Sequence, residues 1–289
     1  MRVKKIWVPI FLFPTLVIFT IIYAIPIVTV FVTSFFQYTL RSFHFIGFNN
    51  FIELFGTGLR GRAFSQAFQN TMIWTVMQST IHVALGTLVA LMLSRKPRGW
   101  KFVRTAYMIP NIISAAALAM VYINVFDPKR GVVNSIIRVF IPGYEMNWYV
   151  QRAFFTTTYT WLAFAGLITI LVFADIMSIP DEIYEAARVD GASGLKIDFY
   201  ITLPLLRNVL GTCVILAATS MLKEFELIFM TTNGGPGFAT MNFPLMIYRL
   251  ALSEMNFGMA NSVGTITILV GVVLIWLINK LFQIGQTDR

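Results

Sequence analysis

Charge is scarce in this chain. Asp, Glu, Lys and Arg supply 12% of its 289 residues, about half of the roughly 25% usual in a soluble domain. Histidine occurs twice, as His44 and His82, and cysteine once, as Cys213 inside an apolar run. An internal disulfide and a cysteine metal site are therefore excluded, and Cys213 reads as a small buried hydrophobe. No Gly-x-x-x-x-Gly-Lys-[Ser/Thr] loop is present to cradle phosphates. No extended polar region is available to fold as a nucleotide domain. No cluster of His, Cys or carboxylate residues recurs at one depth, which argues against an enzyme embedded in the membrane.

Apolar side chains fill the space that charge leaves. Hydrophobic residues make up 57% of the chain and aromatics 15%, with 27 Phe, more than a soluble fold of this size can hide. Six stretches meet the roughly 20 residues that a helix needs to cross a bilayer: 9–36, 71–93, 106–126, 154–176, 208–230 and 259–282. Backbone groups in lipid must be satisfied within each segment, so helices are the expected form. The reading is an all-α integral membrane protein with six transmembrane helices, a single domain over 1–289. The first run continues through Phe31, too long for a cleaved signal core, and is read as a retained span. Kinks are expected at Pro14, Pro26 and Pro110. Gly86, Gly166, Gly264 and Gly271 are placed to let helices approach closely.

The net charge of +9 is read as membrane orientation rather than nucleic-acid binding, because the cations sit in clusters between apolar runs. One set of loops carries Arg2, Lys4 and Lys5; Arg95, Lys96, Arg98, Lys101 and Arg104; Arg188, Lys196 and Arg207; and Lys280 and Arg289. The opposite set carries Arg41, Arg60, Arg62, Lys129, Arg130, Arg138, Arg152 and Arg249. The first set is denser, so that face and both termini are expected in the cytoplasm.

The segment 178–207 differs from the other loops. Pro180 suits the first position of a helix, Asp181 and Glu182 suit its positive end, and Gly191 suits its stop. The helix is either a rigid handle for a partner, which Ala186 and Ala187 would admit closely and Glu185, Arg188 and Asp190 would orient, or an amphipathic connector lying on the membrane. A second short helix is expected from about Ser193 to Tyr200.

Glu185-Ala186-Ala187, then Gly191, then Ile201-Thr202-Leu203-Pro204 closely resembles the EAA loop of binding-protein-dependent ABC importer permeases. Phe45 to Phe51, Asn70-Thr71, Phe126-Asp127-Pro128 with Gly131 and Asn134, and Phe225-Glu226 with Gly234-Gly235-Pro236 extend the likeness along the chain. The last features resemble the first permease subunit of the carbohydrate-uptake branch. The resemblance implies a type I importer permease in a bacterial or archaeal plasma membrane, carrying a sugar, with an oligosaccharide favoured. It implies as partners a second homologous permease, two ATP-binding subunits and an extracytoplasmic solute-binding protein. ATP and Mg would sit on the ATPases, with no cofactor on this chain and no hydrolysis by it. Residues Glu185, Ala186, Ala187, Arg188, Asp190 and Gly191 would transmit the ATPase motion. The chain departs from the pattern at Asp198, where Phe is common, and near Asn208, where a proline often follows.

Charges in the outer half of the fifth stretch form the second candidate site. Lys223 and Glu226 are three apart, so on one helix they share a face. Either they pair to fix that helix, or Lys223, Glu224, Phe225 and Glu226, with Tyr248, line the passage or its outer gate. His82, in the second stretch, is read as bonded to a neighbouring helix or as part of the transport path. A competing class is a secondary transporter driven by an ion gradient. That class predicts paired repeats with broken helices and mid-membrane carboxylates, of which only Asp175 and the Lys223–Glu226 group offer a trace.

Overall fold

The computed structural model describes residues 7–162 and 165–284, with side chains from 12 to 158 and from 165 onward. Arg2, Lys4, Lys5 and Arg289, part of the orientation argument, lie outside the described residues. Helices dominate. In chain order they are α1, apolar over Leu12–Thr33; α2 (Asn49–Leu54); α3 (Leu59–Ser94); α4 (Trp100–Ile112); α5 (Ala115–Val125); α6 (Val132–Phe140); α7 (Trp148–Gln151); α8 (Ala153–Leu162); α9 (Gly166–Ile176); α10 (Asp181–Val189); α11 (Leu195–Leu205); α12 (Arg207–Met221); α13 (Glu226–Thr231); α14 (Phe243–Ser253); and α15 (Phe257–Phe282). A hairpin of β1 (Phe36–Tyr38) and β2 (Phe43–Phe45) follows α1, with Gln37 opposite His44.

Among the described residues three helices, α1, α3 and α15, are long and apolar enough to cross a membrane unbroken. The expected kink at Pro26 is absorbed in α1 by a wide five-residue turn, Thr20–Ala24, whose bond from the Ile25 N–H returns to the Thr20 carbonyl. α3 begins at Leu59, well before residue 71 where its apolar run starts, because Phe64 and Ala67 are buried. The third stretch runs helically through Pro110 and breaks later: α4 and α5 meet at 101°. Ser114 marks the new start, its hydroxyl accepting the Ala117 N–H at 3.3 Å. The fourth stretch comprises α8 and α9 and the fifth comprises α12 and α13.

Contacts divide the chain into two compact units. In the unit of residues 1–65 and 246–269, the end of α1 is the anchored part. Asn261 donates to the Thr33 hydroxyl at 2.7 Å, Ser262 to the Ser34 carbonyl at 3.0 Å, and Asn50 to the Ser34 and Phe36 carbonyls at 2.8 and 3.0 Å. A Cβ on Gly258 would run into the Phe36 carbonyl. Arg60 bonds Glu53 at 2.7 Å and Glu254 at 2.9 Å.

In the unit of residues 66–245 and 270–289, α3 and α9 form the core with α12. Val83, Ala90, Leu93, Ile168, Val172 and Phe173 pack together with Cys213, whose side chain is fully enclosed. Gly86 is the close-approach point: a Cβ there would lie 2.8 Å from the Ile168 side chain. Thr169 donates to the Gly86 carbonyl at 3.2 Å. Small residues at such contacts let backbones meet, which is how helices associate where lipid gives no hydrophobic drive. Trp74 stacks on Phe154 at 5.3 Å and donates to the Thr158 hydroxyl at 2.8 Å.

Candidate functional site

Local chemistry builds α10. Pro180 stands just before it in an extended conformation, one residue earlier than expected, and Asp181 and Glu182 occupy its first turn. The stop is a complete Schellman closure. The Gly191 N–H bonds the Arg188 carbonyl at 3.0 Å, the Ala192 N–H bonds the Ala187 carbonyl at 2.9 Å, and Gly191 has φ +81°. Glu185, Ala186, Arg188 and Asp190 are exposed. Ala187 is not: it is 7% exposed and turned inward. Of the two alanines, only Ala186 leaves the outer face open, while Ala187 lets α10 sit close to the body.

Behind α10 lies a cavity of about 690 Å³, lined by Arg95, Lys96, Asp181, Tyr184, Arg188 and Asp198 among others. An ion pair between Arg95, which follows α3, and Asp198 in α11 closes one side of it. The departure at Asp198 thus has a physical partner, and Arg95, read from sequence only as an orientation charge, fastens α11 to the end of α3. A carboxylate where an aromatic is usual was the available signal, since it calls for a counter-charge. Ile183, Val189, Leu195, Phe199 and Tyr200 leave an apolar surface uncovered on α10 and α11.

The second candidate group does not form the helix face expected of it. α12 stops at Met221, and residues 222–225 are not helical before α13 starts. The Glu224 carboxylate accepts the Leu227 N–H at 3.2 Å and the Glu224 carbonyl accepts from Asn242. Side chains thus supply part of the bonding there, beside tighter backbone turns such as the Lys223 N–H to the Ser220 carbonyl at 3.1 Å. Among the described residues no ion pair joins Lys223 to Glu226; both are exposed, while Glu224 and Phe225 are half-buried. Phe225 stacks on Phe229 at 5.0 Å. Tyr248 is half-buried on α14.

The glycine-rich loop after α13, which entered the sequence reading only through the resemblance of Gly234-Gly235-Pro236, is tightly tied. Asn70 donates to the Ala239 and Met241 carbonyls at 3.0 and 2.8 Å. The Thr232 and Thr240 hydroxyls meet at 2.6 Å. Thr240 and Asn242 are buried. The Asn70-Thr71 pair, noted as a family-like opening, is therefore the hook that holds this loop to α3.

Residues 82–287 match the family described as the binding-protein-dependent transport system inner membrane component. The chain is 29% identical over 294 residues to a probable ABC transporter permease, YurN of Bacillus subtilis, covering 99% of each. It is 28% identical to the diacetylchitobiose uptake permease NgcF of Streptomyces coelicolor, over 85% of this chain and 74% of that one. A chain of a bacterial alginate ABC transporter, solved with an alginate pentasaccharide-bound periplasmic protein, superposes with a TM-score of 0.82 at 26% identity, covering 96% of both chains. The fold is that of a type I ABC importer permease, integral to the membrane. With a family match over most of its length, the chain belongs to the binding-protein-dependent transport system inner membrane component family.

Proposed function

We propose that this chain forms one half of the translocation path of an ATP-driven sugar importer, with α10 as the handle through which a separate ATPase moves it. The assembly we envisage contains a second homologous permease, two ATP-binding subunits carrying ATP and Mg, and an extracytoplasmic solute-binding protein. It sits in a bacterial or archaeal plasma membrane with both termini and α10 in the cytoplasm. The solute is an oligosaccharide, in line with relatives named for diacetylchitobiose and galactooligosaccharides. Lys223, Glu224, Phe225, Glu226 and Tyr248 are assigned to the passage or its outer gate.

The observation that carries the reading is the surface of α10. It is a capped helix with Glu185, Ala186 and Arg188 exposed and apolar residues left uncovered beside it. A partner that grips it makes different contacts in its nucleotide-bound and empty states, which is what a conformational switch requires. Glu185→Lys is the test in the assembled transporter: solute uptake falls steeply while ATP hydrolysis continues and the permease stays in the membrane. Uptake unaffected by Glu185→Lys would remove α10 from the mechanism. Uptake that persists without the ATPase subunits, and collapses with the proton or sodium gradient, would replace the whole reading with a secondary transporter.

A further inference from the structure

Helix α6 is inside out for a helix in water. Its inward face is polar. Asn134 is fully buried and donates to the Pro128 and Met146 carbonyls at 2.8 and 2.9 Å, while Trp148 donates to its side-chain oxygen at 2.8 Å. Arg138 turns its guanidinium onto three carbonyls, those of Tyr144, Lys129 and Pro128, at 2.9, 2.7 and 2.7 Å. The opposite face, one stripe at i, i+4, i+7 and i+8, is apolar and open: Val132 at 56%, Ile136 at 57%, Val139 at 77% and Phe140 at 79% exposed.

The geometry points to a phospholipid surface as the occupant of that face, with α6 lying in the interfacial layer of one leaflet. Three observations favour lipid. First, α6 is tethered between α5 and α8, which belong to the third and fourth membrane stretches. Exposed apolar side chains continue from it onto Met120 and Val121 of α5 and Phe155 of α8. Second, Lys129 and Arg130 stand exposed at its entry, placed for lipid phosphates. The Asp127 carboxylate accepts their backbone N–H groups at 2.9 and 2.7 Å, and among the described residues neither cationic side chain is in an ion pair. Third, a groove of about 420 Å³ lined by Val125, Phe126, Val133, Trp148, Phe155 and Thr156 adjoins the helix. Its almost wholly apolar wall suits an acyl chain. Gly131 keeps the start of α6 tight, since a Cβ there would meet the Asp127 carbonyl. The polar hooks make α6 a rigid float rather than a loose loop, so its depth fixes the ends of α5 and α8. The inference rests on the membrane family alone, independent of the α10 handle and of the solute.

The test uses the assembled transporter in liposomes, with Cys213→Ala removing the single native cysteine. An environment-sensitive fluorophore is placed at Val139→Cys, Phe140→Cys or, as an aqueous control, Glu145→Cys. Lipids carrying a nitroxide near the top of the acyl chain should quench positions 139 and 140 strongly, and iodide in the buffer should not. Position 145 should give the reverse. The depth expected for 139 and 140 is about 5–10 Å into the headgroup and acyl boundary, typical of interfacial helices. Iodide quenching at 139 and 140 equal to that at 145 would overturn the proposal. So would shielding from both quenchers, which would mean a protein partner, or shielding that appears only when the solute-binding protein is added.

Discussion

Replacement of Gly191 separates the conformation of α10 from its contacts. Gly191 closes the helix with φ +81°, and an added Cβ there would meet no atom of the chain within 4 Å. The penalty for a side chain is therefore conformational: about 1–2 kcal/mol for an ordinary L-residue in the left-handed region. That is a factor of about 5–30 in the ratio of closed to frayed states. A β-branched residue fares worse, whereas asparagine tolerates this region. Fraying frees the Ala187 and Arg188 carbonyls and loosens the last turn, which carries Arg188 and Val189. In proteoliposomes containing all subunits and binding protein, solute taken up per ATP hydrolysed should fall in the order Gly, Asn, Ala, Val. The amount of assembled transporter should not change. Valine matching glycine would refute the argument. An order that follows side-chain volume, with Asn below Ala, would mean that steric docking rather than backbone conformation is sensed at this position.

The Arg95–Asp198 pair predicts a charge-swap rescue. Arg95→Asp or Asp198→Arg alone should reduce coupling, and the double swap should recover most of it, with the pair itself contributing about 1 kcal/mol or less to stability because Arg95 is largely exposed. Asn70→Ala removes one buried and one part-buried hydrogen bond to the 239–241 backbone and leaves those carbonyls without the Asn70 donor. A cost of about 1–3 kcal/mol per unsatisfied group should appear as a lower melting temperature in detergent and as proteolysis within 233–242. Glu226→Ala should alter uptake or binding-protein-stimulated ATP hydrolysis with no loss of membrane-inserted protein; a change in protein amount alone would mark Glu226 as structural.

Much of the fold was legible because a bilayer imposes length. The runs that became α1 and α15 could be read directly, and α10 could be read from Pro180, Asp181, Glu182 and Gly191, since caps are local chemistry. What escaped is long-range. Asn70 acts on carbonyls 169 and 171 residues away, and Asp198 finds Arg95 at a separation of 103; no periodicity announces such hooks. α3 outruns its apolar stretch because tertiary burial of Phe64 and Ala67 outweighs the polarity of 59–70. In the third stretch Pro110 drew attention, yet the bend lies at 113–114, where the Ser114 hydroxyl starts the next helix. The Lys223–Glu226 spacing implied a shared face only on the premise of an unbroken helix.

That broken premise bears on where the charges face. Non-helical backbone at membrane depth is tolerated only where it is covered by protein or lines a water-filled space, since each bare peptide group in hydrocarbon costs several kcal/mol. At 222–225 one carbonyl is covered by Asn242 and one N–H of the next helix by the Glu224 carboxylate. An unbroken helix facing lipid would satisfy these groups within itself and need no such cover. The break also places Lys223 and Glu226 outside the protein's own packing while Glu224 is held within it. Exposed ions that close to the membrane interior are tolerable beside water and expensive beside acyl chains. Water beside Lys223 and Glu226 is thus what the proposed passage requires of this break, and a lipid-facing position for the two charges would count against that proposal.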